Sequence, residues 1–264
     1  MQERHIDRRL YFKELAETCS NYFIPYIMQW HEIKAGMKVL EIGCGEGGNL
    51  LPFSRLGLKV TGVDIASCRI EQARRFFVEE QAEGNFIAED IFNLKDLGQK
   101  FDIIICHDVL EHLDNKALFL SRIAGYLNRD GIVFISFPAW HMPFGGHQQI
   151  CRNRVLSHLP FVHLLPKILY ESLIRLSGES DACSSELMSI RRTRVTIEAF
   201  ERLVSQSDLI LRDRTLFFIN PHYKVKFGLN PRKLQFPLSS IPYLRNFLSS
   251  SCFYILGQID NCIQ

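Results

Sequence analysis

The period of the apolar positions changes several times along this chain. Over residues 10–30 the side chains Leu10, Phe12, Leu15, Tyr22, Phe23, Tyr26 and Ile27 fall at mixed helical spacing. That pattern predicts one or two helices ahead of the main fold. From residue 38 onward short apolar runs alternate with helical periods. Strands are predicted at 38–42, 59–63, 85–88, 101–106 and 131–137, and helices at 47–55, 67–83 and 115–127. The helix over 67–83 carries Ile70, Ala73 and Phe77 on one side. The isoleucine-rich run from Phe101 to Cys106 suits a central parallel strand, whose two faces are both covered. Strands alternating with helices indicate a parallel sheet built of right-handed crossovers.

The alternation breaks at Pro138. Residues 139–193 form a long interruption rich in His, Pro and Leu, with an apolar helix predicted over 161–176. Alternation resumes with a helix over 196–207, opened by Thr196 with Glu198 in its first turn. A strand over 209–218, an irregular stretch over 220–250 and a last strand over 252–258 follow. The expected organisation is an N-terminal helical cap (1–36) and one domain (37–264) with insertions at 139–193 and 219–250. There are no internal repeats and no low-complexity tract.

Composition narrows the picture. With 47% hydrophobic and 23% charged residues in 264, the chain has ordinary globular make-up, enough for one α/β domain with additions. A net charge of +2 is too small to suggest a polyanion as partner. The charge is uneven, roughly −4 over 1–150 and roughly +6 over 151–264. The basic half would suit an anionic substrate or surface, although a solvated basic face accounts for it more simply. None of the eight cysteines forms a C-x-x-C pair, and their positions read as helix or strand, so reduced buried thiols and a reducing compartment are expected. The N-terminal segment lacks the apolar core of a signal peptide, and no apolar run reaches the ~18 residues of a membrane span. A soluble cytoplasmic protein is expected, with peripheral membrane contact left open.

The sequence VLEIGCGEGG (39–48) leaves a strand and enters a helix. Gly43 and Gly45 let the backbone turn sharply and let a ligand approach, and the helix start offers free N–H groups. Asp64 ends the next strand, at the spacing where an acid accepts from both hydroxyls of a ribose. Asp90 ends the third strand, where it can accept from an adenine amino group. A plain strand-to-helix turn would also use such glycines. An NAD-binding enzyme is a rival, but GCGEGG lacks the G-x-G-x-x-G spacing.

Together with FDIIICHDVLEHL after the fourth strand, these features resemble the class I S-adenosylmethionine-dependent methyltransferases. The resemblance is dense over 37–140 and weaker at 194–218 and 252–259. It implies an α/β Rossmann-like sheet of seven strands in the order 3-2-1-4-5-7-6, strand seven antiparallel, with helices on both faces and an inserted lid. The run 252–258 would be strand seven. It implies S-adenosyl-L-methionine as cofactor, with its methionine part at Glu41, Gly43, Cys44 and Gly45. The ribose would lie at Asp64 and Ile65, and the adenine at Asp90 and Ile91. His107 would line the pocket near the methyl group. A catalytically inactive cofactor-binding protein is an alternative, since fold does not guarantee chemistry.

Both insertions follow strands at the carboxyl edge of the sheet, where α/β enzymes bind ligands, so both read as lids. In the first, Phe161, Val162, Leu164, Leu165, Ile168, Leu169, Leu173 and Ile174 make a near-continuous apolar surface. Packing on the core would explain it; so would a lipophilic acceptor or a bilayer interface. The arrangement resembles the quinone-ring O-methyltransferases of ubiquinone synthesis, and O-methylation of a small aromatic or lipophilic acceptor is the expected reaction. A base that removes the acceptor's proton would help. The imidazoles of His107, His112, His141 and His147 are the candidates, with His147 expected as base and His107 as a wall of the methyl pocket. Gly145 and Gly146 are read as giving His147 its reach. Asp108, Glu111 and His112 form D-x-x-E-H, which on a helix would share one face and hold a divalent ion. The same motif is common in metal-free members, and no metal is expected. Nucleic acid is not an expected partner: there is no added module, and Lys224, Lys226, Arg232 and Lys233 are few. Protein methylation stays open.

Overall fold

The computed structural model describes residues 7–94 and 96–259. The first six residues of the expected cap, and Cys262 with the residues around it, lie outside the described residues. Among the described residues one sheet carries eight strands in the order β3-β2-β1-β4-β5-β8-β6-β7. These are β1 (Lys38–Ile42), β2 (Lys59–Asp64), β3 (Asn85–Ala88), β4 (Phe101–His107), β5 (Leu127–Phe137), β6 (Leu209–Ile219), β7 (Arg232–Lys233) and β8 (Ser251–Gln258). The first five pair in parallel, and β8 runs antiparallel between β5 and β6. All seven expected strands are present in the expected order. The eighth, β7, is a two-residue edge pairing on β6 with both side chains exposed, so no alternation marked it in the sequence.

The period of two along β4 sorts its side chains between two cores. Ile104 and Cys106 pack with α5 (Lys116–Tyr126) and α9 (Ile197–Ser205), through Phe119, Leu120, Ile123 and Phe200. Ile103 and Ile105 face the other way, toward α3 (Leu50–Arg55) and α4 (Ser67–Glu79). The N-terminal helices α1 (Arg8–Thr18) and α2 (Ile24–Ile27) join this second core: Phe12, Phe23 and Ile27 are fully buried in it. A π-helical turn, Cys19–Phe23, joins α1 to α2. The wide turn breaks the 3.6-residue period, which explains the mixed apolar spacing, and it sits just before Pro25, which has no N–H to give.

The first insertion is more ordered than its sequence suggests. It holds α6 (Arg154–His158), α7 (Lys167–Leu176) and α8 (Asp181–Thr193), with single 3₁₀ turns at Gln148–Ile150 and Val162–Leu164. Cys151, Leu156, Val162, Tyr170, Ile174 and Leu187 form a small core of their own. Thus only Val162 and Ile174 of the expected apolar surface are buried; Leu164 and Leu173 are half-buried, and Phe161, Leu165, Ile168 and Leu169 are exposed, as is the neighbouring Leu176. The helix α8 is mostly polar, which hid it from apolar periodicity. Its ends are nonetheless marked: Ser180 accepts from the Cys183 N–H as N-cap, Asp181 lies in the first turn, and Arg191 and Arg192 in the last. In the second insertion α10 (His222–Phe227) stops at Gly228, whose φ of 73° ends the helix, and α11 (Leu244–Leu248) precedes β8. Among the described residues, no helix is long and apolar enough to cross a membrane.

Candidate functional site

A cleft of ≈ 950 Å³ opens at the carboxyl ends of β1, β2, β3 and β4. Its floor is the glycine turn. Gly43 and Cys44 donate their N–H groups to the Val63 carbonyl at 2.7 and 3.1 Å, which clamps the turn onto β2. Gly43, Gly45 and Gly47 all have positive φ. A Cβ on Gly43 would lie 2.2 Å from Cγ2 of Val109, whereas one on Gly45 would meet nothing within 4 Å. Gly43 is thus needed for close packing, and Gly45 leaves room above the turn.

Asp64 braces the turn from the neighbouring strand. Its Oδ2 accepts from the Gly45 N–H at 2.8 Å and its Oδ1 from the Ala66 N–H at 2.9 Å. A carboxylate has about four acceptor positions, so two stay available on the cleft side. Ile65, Asp90 and Ile91 line the same cleft, and Asp90 Oδ1 accepts from the Phe92 N–H. Glu41 departs from expectation. Its side chain turns into the protein, where Oε1 accepts from Asn49 Nδ2 at 2.7 Å, and it does not line the cleft. Burial pushes its carboxyl up to about 8.

The N-terminal helix supplies wall residues that spacing alone gave no reason to choose. Arg8 and Tyr11 of α1 line the cleft. Arg8 makes a bidentate pair with Glu46 (2.6 and 2.7 Å), and Glu46 is almost fully buried. The fork geometry fixes both partners, and the pair ties α1 to the glycine turn.

His107, at the end of β4, is buried; its Nδ1 lies 2.6 Å from Ser136 Oγ and its ring 4.8 Å from that of Phe23. Beyond it, D-x-x-E-H takes an unexpected shape. Leu110–His112 is a single 3₁₀ turn, and Asp108 has a left-handed φ of 51°. The helical face that would unite Asp108, Glu111 and His112 therefore does not form. Asp108 turns toward His107 (3.5 Å), while Glu111 and His112 meet His147 from the lid. Ligand atoms of these three residues lie within 4.8 Å of one another. Glu111 is 3% exposed, and neither of its carboxylate oxygens has a hydrogen-bond partner. His147 Nε2 stands 3.9 Å from Glu111 Oε1, and its ring 5.3 Å from that of His112.

Burial first, and then the neighbouring imidazoles of His112 and His163, push His147 down to about 3. It is neutral across the physiological range, and the acidic limb that a base of ordinary pKa would give to a pH profile falls outside that range. His107 and His147 both line the cleft; His141 does not. The His141 ring stacks instead on Phe247 of α11 at 5.1 Å. The glycine pair also has a different role from the one expected. Neither Gly145 nor Gly146 has a positive φ, and a Cβ would lie 2.3 Å from the Trp140 carbonyl oxygen or 2.2 Å from His163 Cβ. They permit tight packing rather than motion, and the left-handed φ of 57° belongs to His147 itself. His163, which no motif picked out, is fully buried, with Nε2 2.7 Å from the Trp140 carbonyl.

Comparison with known proteins agrees with this geometry. The family model described as a methyltransferase domain matches residues 8–164. A ubiquinone biosynthesis O-methyltransferase of Chelativorans sp. (strain BNC1) is 38% identical over 101 residues, covering 38% of this chain and 40% of that protein. One of Bartonella quintana (strain Toulouse) is 35% identical over 121 residues, covering 44% and 49%. The chain thus spans less than half the length of these two relatives. Among solved structures, the plantazolicin methyltransferase BpumL in complex with SAH superposes with a TM-score of 0.57 at 17% identity, covering 97% of this chain and 87% of that one. Magnesium protoporphyrin IX methyltransferase (ChlM) from Synechocystis PCC 6803 with bound SAH gives 0.55 at 13%, covering 98% and 88%. Those two likenesses are of fold. The family match takes in more than half of the chain, from α1 through the glycine turn to the lid, and the protein therefore belongs to the methyltransferase domain family.

Proposed function

We propose that this protein transfers a methyl group from S-adenosyl-L-methionine to an oxygen of a small aromatic or lipophilic acceptor. The observation that carries the reading is that one cleft is lined both by the glycine turn with Asp64 and Asp90 and by His107 and His147. The residues fit the cofactor. Gly45 leaves space above the turn, Asp64 keeps acceptor positions for a ribose, and Asp90 faces the cleft between the apolar flanks of Ile65 and Ile91. When bound, the cofactor's sulfonium supplies an electrophilic methyl group. The chain's part is positioning and exclusion of water. Ser136 and Phe23 hold the His107 ring against the end of β4, and the Arg8–Glu46 pair holds α1 over the turn. His147, neutral and beside the unpartnered Glu111, accepts a hydrogen bond from the acceptor's hydroxyl. The names of the two ubiquinone biosynthesis relatives support an aromatic oxygen as acceptor, and the exposed Ile168, Leu169 and Leu176 of α7 support a lipophilic one, drawn from a membrane surface.

The unpartnered carboxylate of Glu111 favours a second reading of the acceptor end. Glu111, His112 and His147 would hold a divalent cation, which lowers the pKa of a hydroxyl bound to it. Two measurements test these readings. Calorimetry with S-adenosylhomocysteine should show binding at one site, and lack of binding would sink the function. Methyl transfer to a panel of catechols and prenylated phenols, before and after chelation, separates the two accounts: restoration by a stoichiometric ion selects the metal. Liposome flotation tests the membrane surface.

A further inference from the structure

A second cluster of ligand-type side chains lies inside the lid. Cys151 closes the cleft-lining 3₁₀ turn Gln148–Ile150, and Cys183 sits in the first turn of α8. Their sulfurs are 4.0 Å apart, and with a Glu179 carboxylate oxygen all three ligand atoms lie within 4.8 Å of one another. A disulfide needs its sulfurs about 2.05 Å apart. Two thiolates on one tetrahedral zinc, at about 2.3 Å from the metal, stand about 3.8 Å apart. The observed 4.0 Å is far too long for the disulfide and close to the metal pair, and without a metal it is also the length of an S–H···S hydrogen bond. Glu179 accepts from the backbone N–H groups of Arg152 and Asn153 at 3.1 and 2.7 Å, so its carboxylate is already fixed beside Cys151 and keeps acceptor positions free.

We propose that Cys151, Cys183 and Glu179 form a binding site for a thiophilic divalent cation, Zn²⁺ or one like it, that clips the two ends of the lid together. As the ion enters, each thiol gives up its proton, so one Zn²⁺ replaces two H⁺ and no oxidant is needed. The clip joins residues 32 apart in sequence and fixes the turn that follows His147 against α8, whose Glu186 lines the cleft. This site is separate from the cleft and stands whether or not the cleft transfers methyl groups.

The test is titration of the reduced, chelator-treated full chain with Co²⁺ alone, without oxygen. One equivalent should give thiolate-to-cobalt charge-transfer absorption in the near ultraviolet, and Zn²⁺ should displace it. Cys183→Ser and Cys151→Ser should each abolish the band, and Glu179→Gln should weaken affinity at least tenfold. Cys68→Ser should keep the band, which removes the exposed thiol as its source, and so should Glu111→Gln, which removes the cleft cluster. Cys183 is only partly buried, so Cys183→Ser is the decisive variant if Cys151→Ser does not fold. No band in the wild type, or a band that survives Cys183→Ser, would overturn the proposal. Recovery of a form lighter by two hydrogens and blind to Co²⁺ would assign the pair to a disulfide and overturn it equally.

Discussion

The Asp64 carboxylate receives the Gly45 and Ala66 N–H groups and still faces the cleft, so its loss should be felt twice. Hydrogen bonds to a charged group contribute about 1.5–3 kcal/mol each. Asp64→Ala should weaken S-adenosylhomocysteine at least about tenfold, which corresponds to about 1.4 kcal/mol. It should also lower the unfolding midpoint of the cofactor-free protein, as the turn loses its brace. Unchanged calorimetric affinity would remove Asp64 from the site. Two glycines make a sharper contrast. A methyl on Gly45 meets open space, whereas one on Gly146 would collide with His163. Gly45→Ala should impair cofactor binding with a modest stability cost, near 1 kcal/mol for its positive φ. Gly146→Ala should cost about 1–3 kcal/mol by overpacking, measured by urea unfolding. Equal stability of Gly146→Ala and wild type would mean the lid repacks freely. At the acceptor end, His147→Ala should lower kcat by roughly 10²-fold through lost positioning of the acceptor's hydroxyl, while cofactor affinity stays near normal. Near-normal turnover would place the proton's acceptor elsewhere.

At the scale of elements, the lid is a helical unit with a small core of six buried residues, rooted on the main domain at two points. At one root Lys116 donates to the Thr193 carbonyl and the Thr193 hydroxyl donates to the Glu111 carbonyl; at the other the Trp140 N–H donates to Val195. Small cores open more readily than large ones. Trypsin should therefore nick within 141–193 of the free protein first, and S-adenosylhomocysteine with a phenolic acceptor should slow the cut. Equal cutting in both states would make the lid a fixed part of the fold. His163 adds a pH dependence to this element. Burial pushes it down to about 4, against about 6.5 in an unfolded chain. The unfolded state therefore binds the extra proton between pH 6.5 and 4, and stability falls as pH falls through that window. The difference is ~3 kcal/mol, fully present below the folded value. Urea midpoints followed from pH 7 to pH 4 should drop more steeply for wild type than for His163→Gln. Parallel curves would show that His163 takes up its proton without opening the lid.

At the scale of the whole molecule, two cores share one sheet, and the sequence carried that plan openly. Central strands buried on both faces must be apolar throughout, so the run FDIIIC could only be an inner strand, and the spacing from Gly45 to Asp64 followed from one strand-turn-helix unit. What depends on neighbours in sequence was therefore legible: the strands, the glycine turn, the acid that ends β2 and the one just past β3; the strand order came only from the family resemblance. What depends on distant segments meeting in space was decided by tertiary structure. Arg8 reaches Glu46 across 38 residues because α1 packs into the second core beside the glycine turn. The D-x-x-E-H segment looked helical on paper, but β4 delivers it as a 3₁₀ turn, and Glu111 then finds His147 in place of Asp108. Cys151 and Cys183 show no metal spacing in the chain, and their sulfurs come together only when α8 folds back on the lid. Periodicity and local spacing report what a segment must do with its own backbone and faces. Which side chains converge is set by how those segments pack, and packing joins residues whose separation along the chain carries no signal.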